Sequence, residues 1–155
     1  MAETTALEGR IEQELVAAMK ARDAARVSAL RNIRAELERR RIDKRAPLEE
    51  GEVLAALGTL AKQRRESIEQ FRAGGRDDLV EKETAELKVI EEFLPAQLGD
   101  EELRAEVARA VEEAGASGPK DMGKVMKILM PRVRGRADGA RVNALVRERL
   151  SVEGR

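Results

Sequence analysis

The stretch Gly123–Val146, GKVMKILMPRVRGRADGARVNALV, decides the fold expected for this chain. Its first half has the spacing i, i+3, i+4, i+7 and i+8 of one apolar helix face, formed by Met122, Val125, Met126, Leu129 and Met130. Pro131 and Gly135 are expected to end this helix, because proline has no N–H to donate and glycine tolerates a left-handed backbone. The sequence therefore predicts a short amphipathic helix followed by a turn.

A second short helix is predicted directly after that turn. Asp138 is placed to cap it, because an aspartate side chain can accept a backbone N–H bond in the first helical turn. The apolar stripe of this helix consists of Val142, Leu145 and Val146. We therefore expect two amphipathic helices that lean together beneath one exposed turn.

Positive charge is concentrated around this turn. The segment Pro119–Arg149 contains nine cations and three anions, a net charge of +6, although the whole chain is neutral with 30 basic and 30 acidic residues. A local positive field attracts phosphate, and guanidinium groups match phosphate oxygens in a two-pronged geometry. We predict RNA binding here, whereas solubility alone is the simpler explanation of the same charges. The candidate nucleic-acid-binding residues are Lys120, Lys124, Lys127, Arg132, Arg134, Arg136 and Arg141.

Several motifs along the chain carry a specific resemblance. The segments GKVMK, GRADG and VNALV, which begin at Gly123, Gly135 and Val142, resemble the tail of the GatB component of aspartyl/glutamyl-tRNA amidotransferase. Three upstream segments are similar, in the same order, to the free-standing YqeY-like proteins of the GatB/YqeY family: LRNIRAEL, KQRRESIEQFRAGGRDDLVEKETAEL and EEFLPAQL. The resemblance covers nearly the whole chain.

This resemblance implies a function without intrinsic catalysis. In the amidotransferase the tail domain reaches the tRNA while other domains perform the chemistry, so the resemblance implies a tRNA-associated helical module. The stretch Ile128–Val133 contains a proline and extra residues where the amidotransferase tail is shorter, so it resembles the free-standing branch more. The family name also suggests a label of carbon–nitrogen ligase activity with glutamine as amido-N-donor. The serines of this chain form no nucleophile elbow and no amidase signature that would support such a reaction.

The composition favours an all-α protein and excludes much of enzymology. Aromatic residues are limited to Phe71 and Phe93, so the core must be built from aliphatic residues, many of which are good helix formers. The absence of cysteine and histidine removes disulfides, thiolate chemistry, the commonest metal ligand and the side chain best suited to move protons near neutrality. We therefore expect no catalytic activity, no cofactor and no metal site.

Four helices are predicted before Pro95, and one more is predicted between Pro95 and the two helices described above. The apolar stripes of the first four run from Leu7 to Met19, Val27 to Leu37, Val53 to Phe71 and Leu79 to Leu94. Asp23 is expected to cap the second helix. Asp77 or Asp78 is expected to cap the fourth, with Glu81 completing a capping box. A further helix carries Leu103, Val107 and Val111.

Pro95 marks the expected domain boundary, which we place within Pro95–Gly99. Residues 1–95 are then an N-terminal domain of four helices, and residues 96–155 are a C-terminal domain of three helices that resembles the amidotransferase tail. In the first domain, Arg22–Arg45 has nine cations and four anions. These cations either form a solvated helix face or extend an RNA-binding surface.

The expected partner is tRNA or another structured RNA, with a translation-related protein as a further partner. Without Trp or Tyr the chain has no platform on which to stack bases, so we expect docking by backbone shape and charge. The alternative is a protein-interaction adaptor that does not bind RNA. No run approaches the roughly 18 apolar residues of a membrane span, and the start Met1-Ala2-Glu3 does not resemble a signal peptide. A soluble, cytoplasmic protein with no membrane partner is therefore expected.

Overall fold

The structure, a computed structural model, describes residues 4–153, and every regular element in this range is helical. The predicted all-α class is confirmed. The elements are α1 (Ala6–Lys20), α2 (Ala24–Lys44), α3 (Glu50–Ala73), α4 (Asp77–Glu91), α5 (Asp100–Ala114), a 3-10 turn (Pro119–Asp121), α6 (Met122–Val133) and α7 (Gly139–Glu153). Within residues 4–153, no helix is long and apolar enough to cross a bilayer. Met1-Ala2-Glu3, on which the signal-peptide prediction rested, lies outside the described residues.

The chain divides into two compact units, Met1–Pro95 and Ala96–Arg155. Helices α1 to α4 form the first unit, and its core is aliphatic apart from Phe93. The largest of its completely buried side chains are Ile11, Leu15, Leu30, Ile33, Val53 and Leu57. Removing such side chains from water is the main source of stability in a helical bundle, which is why the period of the apolar residues predicted these helices.

Local hydrogen bonds fix where the first two helices begin. The hydroxyl of Thr5 accepts the Glu8 N–H at 3.1 Å, and the Glu8 carboxylate accepts the Thr5 N–H at 3.0 Å, which together make a capping box. The Asp23 carboxylate accepts the Arg26 N–H at 3.1 Å and caps α2. The predicted cap of the second helix is thus confirmed.

The predicted start of the fourth helix was wrong. Asp77 is already the first residue of α4, and Arg76 occupies the capping position without a side-chain cap. Asp78 pairs with Arg76 at 3.1 Å instead of forming a capping box, and this hydrogen bond lowers the pKa of the Asp78 carboxyl. Both acids therefore lie in the first turn, where negative charge suits the positive end of the helix dipole.

The buried stripe of α1 also differs at its end. Met19 was expected on this stripe but is 50% exposed, whereas Ala18 is buried. Successive residues of a helix are rotated by about 100°, so eleven steps along the helix bring Ala18 back to nearly the same side as Leu7. One residue further, Met19 has rotated away from the core.

The second unit has its own core between α5, α6 and α7. The completely or almost completely buried residues are Leu103, Val107, Ala110, Val125, Leu129, Val133, Val142, Leu145, Val146 and Leu150. The three methionines of α6 are only partly buried and pack around this core. The stripe predicted for the last helix is confirmed by the burial of Val142, Leu145 and Val146.

Helix α6 runs through Pro131, so the predicted stop at this residue was wrong. Proline forfeits its own N–H bond to the carbonyl four residues earlier and crowds that carbonyl with its ring, but the Arg134 N–H still bonds to the Met130 carbonyl at 2.9 Å. Val133 is completely buried, so tertiary packing of the last turn outweighs the local preference. The helix ends where Arg134 becomes extended and Gly135 adopts a φ of +77°, a conformation that suits glycine.

Candidate nucleic-acid interface

The basic turn, residues 134–138, joins α6 to α7 by a short hydrogen-bonded path. The backbone N–H groups of Arg136 and Ala137 both donate to the Val133 carbonyl, at 2.8 and 3.2 Å. The Asp138 carbonyl accepts a backbone N–H of the first turn of α7 at 3.0 Å. Asp138 therefore occupies the position directly before the helix, where a capping residue was predicted.

A second segment of the same unit forms hydrogen bonds with this turn. We call residues 96–98 the strap. The Leu98 N–H donates to the Arg136 carbonyl at 2.8 Å, and the Gln97 side-chain amide donates to the Gly135 carbonyl at 2.8 Å. In return, Arg136 Nε donates to the Ala96 carbonyl at 3.2 Å. The strap thus bonds two consecutive carbonyls of the basic turn.

Sequence reasoning missed the strap. Gln97 and Gly135 are 38 residues apart, and no local periodicity marks a contact over such a distance. The available signal was indirect, because the strap lies within the segment EEFLPAQL that contributed to the family resemblance.

Five of the seven candidate cations are exposed, and one of them, Arg132, forms an ion pair. The other four lie along α6, the 3-10 turn before it and the basic turn: Lys120, Lys124, Lys127 and Arg134. The rotation of about 100° per residue places Lys124 and Lys127 on the side of α6 away from its buried stripe. The side chains of Lys127 and Arg134 form no hydrogen bond or ion pair with any part of the chain that the structure describes. We call these four exposed residues the cationic row.

Lys124 is held only loosely beside an acidic neighbour. Its side chain is 71% exposed, and its ammonium lies 3.8 Å from the Asp121 carboxylate. That carboxylate is already engaged, because it accepts the Ser117 N–H at 2.9 Å. This backbone hydrogen bond is the main reason that the pKa of Asp121 is lowered, and the charge of Lys124 adds to it. Asp121 therefore orders the turn before α6 and neutralises the row only in part.

The remaining three candidates have partners inside the second unit. Arg132 Nη1 lies 2.6 Å from the Glu113 carboxylate, and its hydrogen bond lowers the pKa of Glu113. Arg141 forms a two-pronged pair with Asp100, at 3.0 and 3.3 Å. Half-exposed pairs of this kind contribute about 0–1 kcal/mol. Together with the side chain of Arg136, which bonds to the strap, these side chains are engaged in contacts within the second unit.

The arginines near the end of α2 are also paired within the chain. Arg39 and Arg40 bond to Glu36, and Arg41 bonds to Glu38 and to the buried Glu8. The two arginines lower the pKa of Glu36. This arrangement favours the interpretation of α2 as a solvated, ion-paired helix over an extension of the RNA surface.

Neither phenylalanine offers a stacking platform. Phe93 is 3% exposed, and the Arg10 guanidinium covers its ring at 4.9 Å from the centroid. Phe71 is partly buried in α3. The described aromatic side chains therefore favour recognition by charge and shape over stacking of splayed bases.

These features define the class of protein: an all-α chain of two helical units, the second of which exposes a cationic row beside a strapped basic turn. The chain belongs to the family of YqeY-like proteins, whose family model matches residues 8–150. The resemblance to the free-standing YqeY-like proteins is thereby confirmed.

Individual relatives carry a mitochondrial name. The chain is similar to altered inheritance of mitochondria protein 41, mitochondrial, of Eremothecium gossypii, with 38% identity over 56% of this chain and 48% of that protein. The protein of the same name in Kluyveromyces lactis is 32% identical over 70% of this chain and 60% of that protein. An uncharacterised protein of Schizosaccharomyces pombe is 33% identical over 57% of this chain and 72% of that protein. The chain thus spans about half the length of the first of these relatives.

The prediction of a cytoplasmic location is contradicted by these names, which point to mitochondria. The physical reason for the error is simple. Composition and apolar run length distinguish an aqueous compartment from a bilayer, but they do not distinguish one aqueous compartment from another.

Proposed function

We propose that this protein is a non-catalytic module that binds tRNA or another structured RNA through the cationic row. The observation that carries the proposal is the exposure of Lys120, Lys124, Lys127 and Arg134 on one helix and its adjoining turns. Lys127 and Arg134 find no counter-ion among residues 4–153. The similarity of GKVMK and GRADG to the tail of a tRNA-dependent amidotransferase supports tRNA as the class of RNA.

The shape of the row suits a phosphate backbone. Fourteen residues separate Lys120 from Arg134, which at a helical rise of about 1.5 Å per residue corresponds to about 20 Å. A row of this length can face several phosphates of a folded RNA, and such contacts carry affinity without reading bases. Recognition would then come from the three-dimensional spacing of phosphates.

Binding of fluorescent tRNA, followed by anisotropy at one fixed salt concentration, tests this proposal. Lys127→Glu/Arg134→Glu should weaken binding about a hundredfold, because two charge-assisted contacts of about 1.5 kcal/mol each are lost. The matched control is Arg65→Glu/Arg72→Glu, which changes the net charge equally at two exposed cations of the first unit. Because the relatives are named as mitochondrial proteins, mitochondrial tRNA is tested beside total tRNA. Equal weakening by both double variants would show that only net charge matters and would refute this site.

A protein-interaction adaptor is the second candidate. Val16 and Met19 are 48% and 50% exposed on α1, and residues three apart lie on one side of a helix. An adaptor would bind its partner through apolar surface of this kind. Absence of tRNA binding by the native protein, even at low salt, would favour this candidate over the first.

A further inference from the structure

The strap is well placed to control the shape of the basic turn. It bonds the carbonyls of Gly135 and Arg136, the two residues that follow Arg134. On the other side, Arg134 follows the completely buried Val133 and donates its own N–H to the Met130 carbonyl at 2.9 Å. The backbone of Arg134 is therefore fixed from both directions, although its side chain is exposed.

The strap is itself anchored. Leu98 is partly buried against the core of the second unit, so the strap is attached to the same helices that carry the cationic row. The Arg136 side chain closes the arrangement, because its Nε donates to the Ala96 carbonyl at 3.2 Å. Arg136 is accordingly less exposed than Arg134.

From this geometry we infer that Gln97 and Arg136 are positioning residues, which hold the basic turn so that Arg134 meets the RNA in a fixed orientation. The inference rests on the proposed function and assigns Arg136 a role different from that of a phosphate contact. A loop that is ordered before binding loses less conformational freedom when the complex forms. The strap therefore raises affinity without contributing a charge to the interface.

The salt dependence of binding separates the two roles of Arg136. Each phosphate contact contributes about 0.9 to the slope of log K against log salt. Arg136→Met should weaken tRNA binding about fivefold, the factor that one hydrogen bond of about 1 kcal/mol represents, and should leave the slope unchanged. Arg136→Lys, which can still donate to the Ala96 carbonyl, should restore most of the affinity. A slope reduced by about 0.9 in Arg136→Met would show a phosphate contact and overturn the positioning role.

Gln97→Met provides an independent variant without a change in charge. It removes the bond to the Gly135 carbonyl and keeps the side-chain length, and Gln97 is exposed, so folding is preserved. We expect about fivefold weaker tRNA binding, an unchanged salt slope and faster hydrogen exchange of the Leu98 amide measured without RNA. Native affinity in this variant, or weaker affinity with full protection of the Leu98 amide, would overturn the inference.

These outcomes are distinct from a failure of the proposed function. If the native protein does not bind tRNA, the proposed function fails and the positioning role fails with it. If the native protein binds and Lys127→Glu/Arg134→Glu is impaired while Gln97→Met is not, only the positioning role is overturned.

Discussion

Replacing Pro131 with alanine is expected to stabilise the second unit. Proline costs about 3 kcal/mol relative to alanine in a helix interior, and part of this cost applies here because Pro131 lies inside α6. The new N–H can bond to the Lys127 carbonyl, with a net gain of about 1 kcal/mol, and removing the ring relieves its clash with that carbonyl, which accounts for about 1 kcal/mol more of the proline cost. The unfolded chain also becomes freer, which opposes the gain by about 0.4–1 kcal/mol. Because Pro131 is exposed and no cavity is created, we expect a net stabilisation of about 1–2 kcal/mol.

Urea denaturation of the full chain, followed by circular dichroism, measures this change. The control is Pro119→Ala in the same unit, because Pro119 begins the 3-10 turn, a position where proline has no N–H bond to lose. The control should be slightly destabilised by the increased freedom of its unfolded state. An unchanged or lowered urea midpoint for Pro131→Ala would refute the view that Pro131 destabilises α6 and that tertiary packing keeps the helix intact in spite of it.

Three further substitutions test the core and the ion pairs by urea denaturation. Leu129→Ala should lower the free energy of unfolding by about 2–5 kcal/mol, because Leu129 is completely buried and the change leaves a cavity. Arg41→Met should lower it by about 2–3 kcal/mol, near the low end for a broken buried pair, because it leaves the buried Glu8 carboxylate without this partner; an unchanged midpoint would contradict this. The hydrogen bond from the Ser117 N–H is the main reason that the pKa of Asp121 is lowered in the folded state. The ionised carboxylate therefore stabilises the folded state at a pH above its unfolded pKa of about 4. That contribution is lost as the pH falls through the folded pKa, so Asp121→Asn should be less stable than the native protein at pH 6 and should approach it at pH 3.

The helices could be predicted from the sequence because their apolar residues recur with the helical period. This pattern located the buried stripes of α2 and α7, and the short-range chemistry of Asp23 located the start of α2. The errors occurred where a local rule competes with packing or with a neighbouring charge. Pro131 was expected to stop α6, but the buried Val133 holds the next turn. Asp78 was expected to cap α4, but it pairs with Arg76.

The candidate site could be predicted only as a segment rich in cations. Which cations have internal partners depends on acids that are distant in the sequence, such as Glu113 for Arg132 and Asp100 for Arg141. Charge counting therefore could not separate Arg134 from these two arginines. The strap escaped prediction for the same reason, since hydrogen bonds between segments 38 residues apart leave no period in the sequence.

The salt dependence of tRNA binding by the native protein is the measurement that bears most directly on the cationic row. Four cations that each displace counter-ions at about 0.7–0.9 per phosphate give a slope of about −3 to −4 for log K against log salt. Lys127→Glu/Arg134→Glu should reduce this slope to about −1 to −2, whereas Arg65→Glu/Arg72→Glu should keep the native value. Failure of the native protein to bind at low salt, or equal slopes in all three proteins, would contradict RNA docking through this row.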